Sequence, residues 1–119
     1  MKRDMDLVRT ILLQIEQQPY TGVGVELYVK GYDPEEITYH VILLAEAGLI
    51  EADDASSGAK TKWMPKRLTW QGCEFLDAAR DNNRWNKAKL TMGKVGGFVF
   101  DIGKQVLVEL IKSELRQIN

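Results

Sequence analysis

DPEEITYHVILLAEAG (33–48), LIEADDASSGAKTKWMPKRL (49–68) and TWQGCEFL (69–76) follow one another as a helix, a β-hairpin and a second helix. Asp33 is placed to cap the first helix. Pro34 suits its first turn, and Glu36 can reach back to the cap amide. Ile37, Val41 and Leu44 recur at helical spacing, with His40 and Ala47 flanking the stripe. Gly48 supplies a left-handed terminating residue, after which Leu49 can fold back on the last turn. Leu49–Asp54 and Lys60–Leu68 read as two strands. Their tip, Ala55 to Ala59, is too long for a two-residue turn and is expected to project. Thr69 then caps a helix expected to bury Trp70, Cys73, Leu76 and Ala79, or a set close to it.

Before this stretch, residues 4–17 predict a first helix with Leu7, Val8, Ile11, Leu12 and Ile15 inside and Asp4 or Asp6 as cap. It stops before Pro19. Val23, Val25, Leu27 and Val29 alternate with Gly24, Glu26, Tyr28 and Lys30, which predicts a half-buried strand. After the stretch, Asp81-Asn82-Asn83 interrupts the helix and Trp85–Met92 resume it. Gly93, Gly96 and Gly97 mark a hinge; the run GKVGG lacks the spacing of a phosphate-binding loop. A last helix is expected over about 98–117, with rows Phe98-Ile102-Val106-Leu110 and Leu107-Ile111-Leu115 forming a broad apolar face. Residues 1–92 are thus expected as one domain, with 93–119 as a helical extension packed on the core or used for dimerisation.

The 119 residues are enough for one domain with its own core, and 45% are apolar. Mean hydropathy is −0.26, and no apolar run approaches the roughly 20 residues needed to cross a bilayer, so no membrane role is expected. The charged, amphipathic N-terminus does not read as a signal peptide, which makes a cytoplasmic location the expectation. With one cysteine and one histidine, an internal disulfide is impossible and a structural zinc site is not expected. The net charge of −1 hides an asymmetry. Residues 1–59 carry four basic side chains against eleven acidic, residues 60–94 nine against three, and residues 95–119 three against three.

The order helix, glycine, hairpin, capped helix is that of a winged helix-turn-helix, here with an extra N-terminal strand in place of the usual middle helix and a C-terminal helical extension: an α+β fold. Leu44–Ile50 and Leu68–Gly72 resemble two phrases of bacterial winged-helix regulators, a helix closing in L-x-E-A-G-L-I and a post-wing L-T-x-x-G. Together with MKRDMDLVRTILLQIE, LTWQGCEFLDAARD and WNKAK, they resemble the bacterial and phage-associated family called domain of unknown function 2513. The resemblance covers nearly the whole chain. It implies a winged-helix fold and a bacterial or prophage origin, and it brings no catalytic residues.

Binding to duplex DNA rests first on Lys and Arg neutralising phosphates. The helix over 34–47 contains neither, and presents Glu35, Glu36 and Glu46 outward. Contact with DNA is therefore expected through the wing and the helices beyond it. The candidates are Lys60, Lys62, Trp63, Lys66, Arg67, Arg84 and Lys87, in a transcription-regulator-like protein. The alternative is a protein-interaction module whose partner rests on Tyr39, Ile42 and Glu46. A homodimer through the C-terminal helix suits either reading. No nucleophile–base pair, metal cluster or cofactor motif emerges, so neither enzymatic activity nor a cofactor is expected. His40 and Cys73 read as structural residues.

Overall fold

The computed structural model describes residues 1–119 apart from Val95, Phe98 and Asn119. Seven elements follow in order: α1 (Met5–Gln17), α2 (Pro34–Glu46), β1 (Ile50–Asp54), β2 (Trp63–Leu68), α3 (Trp70–Ala79), α4 (Asn82–Gly93) and α5 (Phe100–Ile118). The fold is α+β, with five helices and a two-stranded antiparallel sheet. The chain forms two compact units, Met1–Cys73 and Glu74–Asn119, so the division falls within α3. No helix among the described residues is long and apolar enough to cross a membrane.

In the first unit, α1 buries Leu7, Val8, Ile11, Leu12 and Ile15, and packs on α2 and β2. Asp4 caps it, accepting from the amides of Asp6 and Leu7. In α2 the capping box of Asp33 and Glu36 is formed. Gly48 adopts φ +75°, its N–H bonds the Ala45 carbonyl, and the Leu49 N–H reaches the Leu44 carbonyl. This double bond closes the helix and turns the chain directly into β1.

That closure meets the start of α3. The Thr69 hydroxyl donates to the Gly48 carbonyl at 2.6 Å and its N–H to the Leu49 carbonyl at 3.0 Å, while its Oγ accepts from the Gly72 amide at 3.1 Å. Gly72 lies so close to the Leu49 carbonyl that a Cβ there would collide with backbone. The glycine is required by this approach, and its φ is not the reason.

The segment over 23–29 is not a strand. It runs extended beside β2 with one ladder bond, from the Val25 N–H to the Pro65 carbonyl at 3.0 Å. Pro65 has no N–H with which to donate back to this segment. The Gly24 N–H goes instead to the Asp53 carboxylate at 3.0 Å. Leu27 and Val29 are buried as the alternation predicts, but Val23 is 63% exposed. Among the described residues no helix stands between α1 and α2; Gly31 at φ +90° and a Tyr32–Val29 bond form a turn.

Two further expectations are corrected. The expected inner face of α3 holds at Leu76 and Ala79, which are buried, and fails at its start: Trp70 is 75% exposed and Cys73 is also exposed, while Gly72, Phe75 and Ala78 are buried instead. The contact at Gly72 sets this rotation. In α5 Leu107 is buried, but Ile102 and Leu115 are more than half exposed, so the broad apolar face is covered only along its middle. Phe98, the first member of the expected row, lies outside the described residues, as does Val95 of GKVGG. In the second unit Phe75 packs edge-to-face on Trp85 and close to Phe100, with centroids 6.3 and 4.9 Å away.

Candidate functional site

The hairpin register places Glu51 opposite Arg67, with a bulge before Ala52. Directly opposed side chains on one face are within reach of each other. Arg67 grips Glu51 with two bonds, Nη2–Oε1 at 2.6 Å and Nε–Oε2 at 3.1 Å. The hydrogen bond from Arg67 holds the Glu51 carboxyl below its usual pKa, and Glu51 in turn raises that of Arg67. Lys66 faces Asp53 at 3.7 Å, and Lys62 faces Glu26 of the extended segment at 3.1 Å. Lys60, at the tip, is exposed and forms no ion pair among the described residues. Three of the four candidate hairpin cations therefore face carboxylates. Two of those carboxylates belong to β1 itself and one to the segment beside β2.

Trp63 does not project from the wing. It is half-buried and lines a small cavity of about 20 Å³ with Leu27, Pro34, Ile37 and Val41, room for about one water. Tyr39 is half-buried with its ring edge-to-face on His40 at 5.6 Å; Ile42 is half-buried and Glu46 exposed. These three share α2 with Glu35 and Glu36, and that helix carries no Lys or Arg.

In the second unit Arg84 is only partly exposed. It makes two bonds to Glu114, at 2.7 and 3.3 Å, and one to the Ala78 carbonyl at 3.0 Å. Lys87 is exposed and forms no ion pair among the described residues. Lys89 stands 6.0 Å from the Trp85 ring centroid. The first unit carries eight basic side chains against eleven acidic, the second eight against six.

The structure does not gather the seven DNA-binding candidates in one unit: five lie on the hairpin, while Arg84 and Lys87 lie on α4. Sequence reasoning also passed over Asn83 and Asn86, which α4 exposes beside Lys87. The readable signal for them was the run from Asn82 to Lys94, which contains no Asp or Glu. It missed the tie between Asp4, Tyr32 and His40 as well. His40 is 1% exposed, with Nε2 accepting from the Asp4 N–H and Nδ1 donating to the Glu36 carbonyl, both at 2.8 Å. Both ring nitrogens are thus occupied, and this fixes the neutral tautomer protonated on Nδ1. Among the described residues no three His, Cys, Asp or Glu side chains gather as a metal site.

The family model described as "Hypothetical protein (DUF2513)" matches residues 2–98. An uncharacterized protein of Haemophilus influenzae is 41% identical over 117 residues, spanning 97% of this chain and 99% of that one. No solved structure matches.

Proposed function

The chain belongs to the DUF2513 family of hypothetical proteins, and from that premise we propose that it is a small regulator-like protein of winged-helix type that acts by binding duplex DNA. The winged-helix reading is supported by the joint between Gly48-Leu49 and Thr69–Gly72, which holds the hairpin between α2 and α3 as a wing is held. The segment over 23–29 stands where the standard motif has its middle helix.

The observation that carries the DNA-binding reading is the distribution of unmatched positive charge. Phosphate contact needs cations that are not already answered by neighbouring carboxylates. On the hairpin, Lys62, Lys66 and Arg67 have such neighbours. On α4, Lys87 forms no ion pair among the described residues, and the helix carries no acidic side chain. The weight of the proposal therefore lies on α4. The test is fluorescence anisotropy of a duplex with the full chain across a salt series. Binding is expected to weaken linearly in log–log coordinates, and Lys87→Glu to weaken it at every salt concentration. Salt-independent binding, or none at low ionic strength, overturns the reading.

A second reading is favoured by α2. That helix offers Tyr39 and Ile42, each half-buried, on a face with acidic residues and no cation, which suits a basic protein partner. Tyr39→Ala with Ile42→Ala is expected to abolish retention of such a partner while leaving duplex binding intact, if this face is a separate site. A homodimer through α5 belongs to the same proposal. Leu115 is 57% and Ile118 77% exposed near its end, at positions a second copy could cover. Sedimentation of Leu115→Lys with Ile118→Lys as one subunit, where the wild type runs as two, supports it; equal masses overturn it.

A further inference from the structure

We propose that the outer face of α4 is the surface that reads base edges in the DNA major groove. This rests on the duplex-binding reading above, and goes further in naming the reading element and its chemistry. Trp85, Ala88 and Met92 turn one side of α4 inward. On the opposite side Asn83, Asn86, Lys87, Leu90 and Lys94 form an exposed stripe at helical spacing. These are side chains suited to groove readout. Asn pairs with adenine at N6 and N7, an apolar tip meets the thymine methyl, and Lys beside them neutralises the phosphates that flank the groove. Leu90, 71% exposed at the centre of this polar stripe, fits that last role.

Charge singles this helix out. Each of the other four helices carries at least two carboxylates: Asp6 and Glu16, Glu35 with Glu36 and Glu46, Glu74 and Asp77, or Asp101 with Glu109 and Glu114. α4 carries none. The nearest in sequence, Asp81, is its N-cap and accepts from the Arg84 amide at 2.8 Å. The Asn83 and Asn86 side chains make no hydrogen bond among the described residues, so their donors and acceptors are available to a base. The 12 residues of α4 give a length of about 18 Å, and the B-form major groove, about 12 Å wide, admits a helix. The A-form major groove is too deep and narrow for side chains to read, which favours DNA over duplex RNA.

The experiment is selection from a randomised duplex DNA library with the full chain, run beside anisotropy on a fixed unrelated duplex. Asn83→Ala with Asn86→Ala lies on the surface, and an unchanged melting temperature verifies its fold. Wild type is expected to enrich a short motif. The double variant is expected to hold the unrelated duplex within about threefold of wild type while losing about tenfold or more in preference for the motif. Lys87→Ala is expected to weaken all sequences and lower the salt slope by about one. Retention of the full motif preference by the double variant overturns the assignment of α4. So does duplex binding by the wild type with no enriched motif, which leaves the general binding reading standing. Tighter binding to duplex RNA than to DNA also overturns it. Absence of any duplex binding at low salt overturns both readings.

Discussion

His40 is held from both sides by backbone groups, the Asp4 amide and the Glu36 carbonyl. It ties the start of α1 to α2, and Tyr32 adds a third strand to the knot by donating to Asp4 Oδ2 at 2.9 Å. Replacing the ring with an apolar side chain leaves a buried donor unpaired, which costs about 1–3 kcal/mol. His40→Leu is expected to lower the urea midpoint accordingly, with its slope unchanged. Tyr32 gives the pH dependence. Its hydrogen bond to the Asp4 carboxylate is the main cause that raises the phenol above its usual value of 10.0. A raised folded value means the contact stabilises fully below the unfolded pKa and is lost as pH climbs through the folded one. The stability gap between wild type and Tyr32→Phe is therefore expected to be constant near neutrality and to shrink above about pH 10. A gap that stays constant through that range would show that the phenol's ionisation is not coupled to folding.

At the scale of elements, two glycines make contrasting predictions. Gly72 opens α3 against the Leu49 carbonyl, so Gly72→Ala forces two backbones apart and is expected to cost about 1–3 kcal/mol. Gly93 ends α4 with nothing within 4 Å of an added Cβ, so Gly93→Ala is expected to be neutral or to stabilise by up to about 1 kcal/mol. Thermal melts of the two variants check both; equal shifts would contradict the close approach at Gly72. The same contact explains why Trp70 and Cys73, at the start of the expected inner face of α3, lie outside while Leu76 and Ala79 lie inside as expected. Trp70 and Cys73 are apolar at plausible spacing, but the helix must turn its glycine to Leu49, and Gly72, Phe75, Leu76 and Ala79 follow inward. The extended segment over 23–29 has a similar history. Its alternation reads as a strand, yet the residue of β2 that accepts its Val25 N–H is Pro65, which cannot donate in return.

At the scale of the whole molecule, charge is what folding rearranges most. Exposed ion pairs such as Arg67–Glu51 and Lys66–Asp53 contribute little to stability. Arg67→Gln with Lys66→Gln is expected to leave the thermal midpoint nearly unchanged and to weaken duplex binding less than Lys87→Glu does. The reverse order of affinities would return the DNA contact to the hairpin.

The caps, the glycine stops and the helical stripes were legible in the sequence, because each depends on residues within a few positions of one another. Asp33, Gly48 and Thr69 mark element ends through local hydrogen bonds, and α1, α2 and the hairpin follow at nearly the expected bounds. The pairing of charges was not legible. The sequence shows an acidic half followed by a basic stretch, but Glu26, Glu51 and Asp53 reach the hairpin cations only when distant segments are brought side by side. Coulomb interactions act through space, and a count along the chain carries no distances. Tertiary structure decided that the positive charge of the hairpin is largely answered, while Lys87 on α4 meets no carboxylate partner among the described residues.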